Sequence, residues 1–309
     1  EMCGRDWSSD VCSSDLNYKH KHSKAIRICA LNVGRLPLSK ENEKNRDLFQ
    51  WMRELKADII LLSELGINWR NMNNTNNWYA RTKEEFQRIS AVTAHNTHER
   101  SKNQMQWGGT AIVATNNTAS RVIQKGTDTS GLGRWAWIRL QGREERKIRC
   151  VSIYSPSKYS RGPLSVWQQH HTIQSTSGDE LEPTEALIRD LRTAIGKWKN
   201  EGDSIIIGGD INQNIVNSPL QKMLEEQGFD ETIHSKLDEP TETHIWNNKR
   251  VAIDSIWCSQ GLHTSNSGYS DYFRWDHRTA WCDIPGDFIF GNDRSEEHTS
   301  EFQSRPHIS

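Results

Sequence analysis

Two short apolar runs, each followed by a carboxylate, constrain the fold of this chain most strongly. Residues 59–62 read IILL and precede Glu64, and residues 205–207 read III and precede Gly-Gly-Asp210. Runs of this length that are rich in β-branched residues predict buried strands. Such strands can seed a core, and their ends are places where a rigid scaffold presents polar side chains for chemistry.

Further patterns extend this prediction along the chain. Strands are predicted at residues 25–32, 58–64, 110–115, 135–140, 147–154, 204–208, 251–258 and 279–284. Apolar residues at helical spacing predict helices at residues 40–55, 180–199 and 220–226. Strands often follow strands with no helix between them, which argues against a simple alternating parallel sheet. We expect an α+β fold with packed mixed sheets and outer helices.

The two ends of the chain look foreign to the rest. Residues 6–16 read DWSSDVCSSDL, which matches a translated sequencing-library adapter. Residues 294–303 read RSEEHTSEFQ, which matches the opposite strand of the same adapter except at Phe302. We expect residues 1–16 and 294–309 to be disordered, adapter-derived segments and residues 17–293 to form one domain. The natural protein is then expected to continue past one or both ends.

Composition excludes some classes of protein. The six cysteines form no C-x-x-C pair, so neither a disulfide framework nor a zinc site is expected, and a reducing compartment is favoured. No apolar run approaches the ~20 residues of a membrane span, and no secretory signal is evident. The formal net charge of −1 becomes +3 without the three basic and seven acidic residues of the end segments. This balance permits a nucleic-acid partner without requiring one.

Polar side chains at or just beyond the carboxyl ends of predicted strands form the candidate site. They are Asn32, Glu64, Asp210, Asn212, Asp254, Asp276 and His277. Each one alone fits a capping or solvated residue. Asp254 lies between two isoleucines, however, and a buried acid needs a partner such as a histidine. Hard oxygen ligands together with a carboxylate–histidine pair suit a Mg²⁺ phosphoryl site.

These residues stand in an order that resembles the endonuclease/exonuclease/phosphatase (DNase I-like) family. The motifs are LNVGR (31–35), LLSEL (61–65), IYSP (153–156), GGDIN (208–212), AIDSIW (252–257) and WDHR (275–278). Each motif is weak alone, but six in order across residues 25–285 are specific. The resemblance implies a four-layer αββα sandwich of two mixed sheets, with the site at one edge.

The resemblance also implies the metal ligands. Glu64 would be the principal Mg²⁺ ligand with Asn32 beside it, and Asp276 would support this metal or a second one; Mn²⁺ could replace Mg²⁺. Two positions depart from the family pattern. Trp275 stands where a serine often precedes the final Asp-His, and Gly34 stands where an acid or amide often follows the first asparagine. Neither departure removes a ligand or the histidine.

The same resemblance implies the catalytic residues. Asp210 would orient or deprotonate the attacking water, and Asn212 would hydrogen-bond the phosphate. His277, held by Asp254, would contact the scissile phosphate and stabilise developing charge. Tyr154 would hydrogen-bond the phosphate or the leaving group. The implied reaction is in-line attack of water on a phosphodiester.

Other segments resemble the endonuclease domains of non-LTR retroelements, which nick target DNA to prime reverse transcription. They are residues 107–110 (WGGT), 131–135 (GLGRW), 162–164 (GPL) and 168–170 (QQH). The resemblance implies DNA as partner, a reverse transcriptase domain on the same natural polypeptide, and an intracellular location that is nuclear for a eukaryotic element. Arg134, Lys158 and Arg161 are candidate phosphate contacts, although surface charge alone would also account for each.

Two alternatives remain open from the sequence. One is a phosphatase or lipid phosphodiesterase of the same fold. Residues 281–283 (WCD) echo an element of inositol-phosphate phosphatases, but they follow Asp276 and His277 and lie in a predicted strand. The other is a non-catalytic nucleic-acid-binding remnant, against which the complete set of catalytic residues argues. The histidine pairs at positions 20/22, 95/98 and 170/171 have no matched ligand and are assigned to no metal.

Overall fold

The computed structural model describes residues 20–99, 102–159, 162–237, 241–246, 249–272 and 275–290. Two six-stranded sheets and a two-stranded hairpin contain all of the strands within these residues. The strands are β1 Ala25–Asn32, β2 Ile59–Ser63, β3 Ile89–Ala94, β4 Thr110–Thr115, β5 Val122–Thr127, β6 Trp135–Gln141, β7 Lys147–Tyr154, β8 Asp203–Asp210, β9 Phe229–Glu231, β10 His244–Trp246, β11 Lys249–Val251, β12 Asp254–Ser259, β13 Asn266–Tyr269 and β14 Ala280–Pro285.

Both large sheets are mixed. The first has the strand order β13-β14-β1-β2-β4-β3 and the second the order β5-β6-β7-β8-β12-β9, while β10 and β11 form the separate hairpin. Strands β1 and β2 run parallel, as do β7 and β8, and the other neighbours are antiparallel. The parallel pairs bring the carboxyl ends of two strands to one edge of each sheet.

Helices cover the outer faces. They are α1 Glu43–Glu54, α2 Trp78–Thr82, α3 Asn116–Ala119, α4 Val166–Thr176, α5 Pro183–Asn200, α6 Pro219–Glu226 and α7 Gly286–Phe290. Helix α1 begins where the side chain of Asn42 accepts a hydrogen bond from the backbone of Lys44, and Ser218 caps α6 in the same way. Helix α5 begins with Pro183, which suits the first turn because proline has no N–H to leave unpaired.

Three apolar clusters correspond to the spaces between four layers. The central cluster lies between the sheets and takes Ile28 from the first and Ile206 from the second. A second cluster packs the first sheet on α1 through Leu48 and Met52, and a third packs the second sheet on α5 and α6. Alternate residues of each strand therefore enter different clusters, as a period of two requires. The predicted sandwich of two mixed sheets between helices is confirmed.

The element predictions were wrong in a few places. Residues 251–258 are not one strand, because β11 ends at Val251 and β12 begins at Asp254. Strand β8 continues past Gly208, where the predicted strand ended, to Asp210. The expected adapter-derived segments lie outside the described residues. Within the described ranges, no helix is both long and apolar enough to cross a membrane.

Candidate active site

Strand register brings polar residues of the second sheet together. Tyr154 at the end of β7 is the neighbour of Asp210 at the end of β8, and Asp210 is the neighbour of Asp254 on β12. Because β12 runs antiparallel to β8, Asp254 begins its strand. The expectation that all site residues lie at or beyond carboxyl ends of strands is therefore wrong for Asp254. In the first sheet, Asn32 ends β1 and Glu64 follows β2 directly.

The side chain of Asn32 joins the two sheets. Its Nδ2 donates to Oε2 of Glu64 at 2.9 Å and to Oδ2 of Asp210 at 2.7 Å, while its Oδ1 accepts from the backbone of Gly34 at 2.8 Å. Three predicted site residues, distant in sequence, therefore contact one another. In this orientation Asn32 serves the two carboxylates as a hydrogen-bond donor.

Asp210 is buried and receives hydrogen bonds from neutral groups alone among the described residues. The backbone N–H of Asn212 donates to Oδ1 at 2.7 Å, and the amide of Asn212 donates weakly to Oδ2 at 3.3 Å. Burial and the nearby charge of Asp254 raise the pKa of Asp210 above the ordinary value for an aspartate. Gly209 allows β8 to approach β7 closely here, since a Cβ there would lie 2.1 Å from the carbonyl oxygen of Ile153.

The expected carboxylate–histidine pair is present. Nδ1 of His277 lies 2.8 Å from Oδ2 of Asp254, and both residues are buried. Burial alone would lower the pKa of His277, but the charge and the hydrogen bond of Asp254 outweigh it and raise that pKa to about 9. His277 is therefore an imidazolium at neutral pH, held with Nε2 as its remaining ring nitrogen.

Tyr154 is a buried, neutral phenol at the base of the site. Burial and the charges of Glu64 and Asp210 raise its pKa well above 10. It can therefore donate a hydrogen bond but cannot supply negative charge at neutral pH.

Asp276 lies on the open side of the site, with 56% of its side chain exposed. A hydrogen bond with His244 lowers the pKa of Asp276 despite partial burial. A Cβ on Gly34 would lie 3.7 Å from Oδ1 of Asp276, so the glycine departure leaves space beside this carboxylate. Lys44 reaches the same loop from α1 and donates to the carbonyls of Gly34 and Arg35 at 3.2 and 3.0 Å.

The residues present fit a divalent cation. Glu64, Asp210, Asp254 and Asp276 supply carboxylates in one neighbourhood, and Oδ1 of Asp254 is buried with no hydrogen-bond partner among the described residues. Ligand atoms of Asp210, Asp254 and His277 lie within 4.8 Å of one another. An excess of carboxylate over cationic groups in a buried place favours the binding of a cation.

Three supporting residues were missed by the sequence analysis. The hydroxyl of Thr243 donates to Oδ2 of Asp254 at 2.7 Å, and the hydroxyl of Tyr269 donates to the Asp254 carbonyl at 2.7 Å. The ring of His244 stacks on His277 with centroids 4.1 Å apart. Thr243 and His244 lie at a hairpin whose strands have three residues each, which is too short to produce a periodic pattern.

The three candidate phosphate contacts have different outcomes in the structure. Arg134 is fully buried and paired with Asp128 at 2.6 Å and with Asp190 at 2.7 Å, so it is a structural residue and that prediction was wrong. Lys158 is exposed near the end of β7 and stays a candidate. Arg161 lies outside the described residues. Trp275, the departure from the family pattern, is buried in the cluster beneath α1.

Comparisons with known proteins agree with this geometry. Residues 29–282 match the model of the Endonuclease/Exonuclease/phosphatase family. A two-sheet sandwich with an acidic, histidine-containing edge is typical of hydrolases that act on phosphodiesters or other phosphoesters, generally with a divalent metal ion. The chain belongs to the Endonuclease/Exonuclease/phosphatase family. No curated protein sequence matches it.

Solved structures show the same fold at low sequence identity. The APE2 catalytic domain of Xenopus laevis has a TM-score of 0.59 and 15% identity, covering 84% of this chain and 92% of that one. A DNA-bound 3′ phosphatase, NExo from Neisseria, has 0.57 and 14%, covering 84% and 99%. The endonuclease domain of TRAS1, a telomere-specific non-LTR retrotransposon, has 0.52 and 16%, covering 84% and 98%.

Proposed function

We propose that this protein is a Mg²⁺-dependent endonuclease that hydrolyses DNA phosphodiester bonds, and that it is the target-nicking domain of a retroelement. The observation that carries the proposal is the joining of both sheets at one edge, where Asn32 bridges Glu64 and Asp210 beside the Asp254–His277 pair. A site of this kind needs acids, amides and an imidazolium around one phosphate.

The chain's own residues would divide the reaction among them. Asp210 orients the water and accepts its proton as the water oxygen attacks phosphorus, and a raised pKa makes its ionised form a stronger base. The imidazolium of His277 contacts a phosphate oxygen and stabilises the added negative charge. Tyr154 donates to the phosphate or to the departing oxygen. Asp254 fixes the ring of His277 and its tautomer.

Glu64 and Asp276 would hold the metal ion, with Asn32 beside them. A bound Mg²⁺ supplies Lewis-acid stabilisation of the phosphate oxygens. The hydrogen bonds of Asn32 to both Glu64 and Asp210 support a positioning role, in which one amide fixes the metal ligand relative to the proton acceptor. Asn212 would reach the phosphate by giving up its weak 3.3 Å bond to Asp210.

An arginine–tryptophan pair beside the site supports a nucleic-acid substrate. The guanidinium of Arg35 lies 4.1 Å from the ring centroid of Trp107, and Trp107 is 39% exposed. The backbone of Arg35 donates to the Glu64 carbonyl at 2.8 Å, and a Cβ on Gly108 would lie 3.7 Å from the ring of Tyr154. The pair therefore borders the catalytic residues. Exposed aromatic faces stack on bases, and arginine binds phosphates.

The retroelement role rests on sequence motifs together with the fold shared with the TRAS1 domain. A domain in this role would act on chromosomal DNA, with a reverse transcriptase on the same natural polypeptide. The genomic sequence flanking this segment tests the role directly, because a reverse-transcriptase frame downstream is expected. A flanking frame for an unrelated enzyme would overturn it.

The activity is tested by nicking of supercoiled plasmid in Mg²⁺ and in EDTA. Wild type and the exposed control Glu41→Ala should nick only with metal, whereas Glu64→Ala and His277→Ala should be inactive. Release of phosphate from inositol phosphates without nicking would identify a phosphatase instead. Retention of DNA without turnover would identify a non-catalytic remnant.

A further inference from the structure

We propose that His244, Asp276 and His277 form a second metal site, which takes a divalent transition ion of the zinc type. Ligand atoms of the three side chains lie within 4.8 Å of one another. Nε2 of His244 lies 3.5 Å from Oδ2 of Asp276, and the two imidazoles stack with centroids 4.1 Å apart and planes 20° apart. The hydrolytic roles described above give His244 no part in the reaction.

The spacing suits tetrahedral coordination. Zinc binds imidazole nitrogen at about 2.0–2.1 Å and carboxylate oxygen at about 2.0–2.2 Å, so neighbouring ligand atoms lie roughly 3.3–3.5 Å apart. The nitrogen of His244 and the oxygen of Asp276 already have this separation. The ring of His277 would have to turn out of its stack with His244 to become the third protein ligand, and the fourth position would then be open to water.

A second contact supports the assignment. Histidines that bind metals usually donate their other ring nitrogen to a carboxylate, which fixes the ring and increases its basicity. Nδ1 of His277 contacts Asp254 at 2.8 Å, so its Nε2 is the nitrogen left for a metal, which would displace the Nε2 proton to solvent on binding. Asp254 is itself held by Thr243.

The backbone holds the donors together before any ion binds. An isolated bridge pairs His244 with His277, and the Ile245 N–H donates to the Asp276 carbonyl at 3.1 Å. The Arg278 N–H donates to the Thr243 carbonyl at 2.8 Å. The half-exposed carboxylate of Asp276 leaves one side open for an ion to enter.

The donor set separates this site from the magnesium site. Two imidazoles and one carboxylate suit zinc and related ions, whereas magnesium prefers oxygen ligands. The scattered cysteines made a zinc site unexpected from sequence, but this site uses none of them. Because Asp276 and His277 also belong to the hydrolytic site, the proposed function adds a consequence. Zinc bound here would compete with magnesium at Asp276, block Nε2 of His277 and inhibit nicking.

Binding is tested first, without any activity measurement. Zn²⁺ and the spectroscopic probe Co²⁺ are titrated into the whole chain, with and without millimolar Mg²⁺. His244→Phe keeps an aromatic ring in the stack but removes a ligand, and it should weaken Zn²⁺ binding by about 100-fold or more, since even residues behind the ligands are worth 10–100-fold. The exposed control His263→Ala should bind as wild type. His244→Asn provides a second variant, and circular dichroism checks that each variant is folded.

Equal Zn²⁺ affinity in His244→Phe and wild type would overturn the proposal, as would a Co²⁺ spectrum unchanged by either His244 variant. Inhibition is tested separately, as micromolar Zn²⁺ added to Mg²⁺-supported nicking, and His244→Phe should relieve it. If the chain does not nick DNA, the proposed function fails while the binding result still decides the zinc site. If it nicks and His244→Phe remains equally sensitive, the inhibitory consequence fails.

Discussion

Strand β8 carries a buried aspartate at each end, and the two aspartates have opposite surroundings. Asp203 at its start accepts from Arg139 at 2.8 and 2.6 Å and from Arg149 at 2.8 Å. Asp210 at its end accepts only from amide groups among the described residues, and it has Asp254 as its neighbour on β12. One carboxylate is neutralised by two guanidiniums, while the other stands next to another acid.

This difference separates a structural acid from a functional one. The ion pairs of Asp203 with Arg139 and Arg149 hold β6, β7 and β8 together, and they leave no charge at Asp203 free to bind a ligand. Burial and the neighbouring Asp254 raise the pKa of Asp210 although His277 opposes them, and a carboxylate in such surroundings attracts a proton, a metal ion or a cationic group. Asp210, whose charge no arginine of the described residues neutralises, is therefore the aspartate of β8 that is free to take part in a reaction.

The substitution Asp210→Asn tests most strongly whether Asp210 is the functional aspartate of β8. We expect nicking to fall by about 10³-fold or more, because proton acceptance by a positioned base contributes 10²–10⁴-fold and the amide also alters the hydrogen bonds from Asn32. The melting temperature should stay the same or rise, since a repulsive neighbour of Asp254 is removed. Plasmid nicking and thermal unfolding measure both effects. Full activity in a folded Asp210→Asn would show that Asp210 is not the proton acceptor.

The opposite result is expected at the other end of the strand. Asp203→Asn leaves Arg139 and Arg149 with the partly exposed Glu201 in place of a buried carboxylate, and breaking a buried ion pair costs about 3–5 kcal/mol of unfolding free energy. Nicking per folded molecule should not change. Urea unfolding gives the cost, and Glu226→Gln, which breaks the exposed pair with Arg192, is the matched control at about 0–1 kcal/mol. A cost near that of the control would mean that the buried pairs do not stabilise the fold.

The sequence could predict Asp210 but could not distinguish it physically from Asp203. Both flank the same run of isoleucines, and Asp210 stood out because it belongs to a motif in a family resemblance. The partners that make Asp203 structural come from β6 and β7, more than fifty residues earlier in the chain. Such partners depend on strand register, which a single sequence does not specify.

The same limit explains the other errors. The apolar runs of β1, β2 and β8 predicted the core strands, because buried strands carry a strong local signal. Strand β5 was missed because it is a partly exposed edge with few apolar residues, and the hairpin with His244 was missed because it is short. Arg134 was predicted at the surface because arginine usually lies there, and only the fold shows that Asp128 and Asp190 enclose it.

His170 is a third buried titratable group, and within the described residues it has no charged hydrogen-bond partner. Burial and the nearby Arg134 lower the pKa of His170 to about 3, and Nε2 contacts the Leu132 carbonyl at 3.2 Å. The unfolded chain therefore binds more protons between about pH 3 and pH 6.5. The stability from neutral His170 is complete above about pH 6.5 and is lost as the pH falls toward 3.

We expect wild type to lose about 2 kcal/mol more stability than His170→Gln between pH 7.5 and pH 5. The variant keeps a donor for Leu132 but does not titrate. Urea unfolding of both proteins at the two pH values measures the difference, and contributions from other groups cancel in it. An equal loss in both proteins would show that His170 is protonated in the fold, and that burial without a fixed ion pair does not suppress charge here.

The two arginine–tryptophan stacks repeat the contrast with a smaller expected effect. Near the start of β8, the buried Arg149 lies 4.0 Å from the ring centroid of Trp137 and forms an ion pair with Asp203. At the site end, Arg35 covers Trp107 at 4.1 Å with both side chains open to solvent. A stacked base is worth about 1–3 kcal/mol in other proteins, and Arg35 already covers part of Trp107.

We therefore expect Trp107→Ala to raise KM for DNA about fivefold with kcat and melting temperature unchanged, whereas Trp137→Ala should lower the melting temperature with KM unchanged. Steady-state nicking and thermal unfolding of the two variants separate the roles. A fall in kcat for Trp107→Ala would instead make this ring part of the support for Tyr154, through the neighbouring Gly108, and the surface at Arg35 would lose its assignment to DNA.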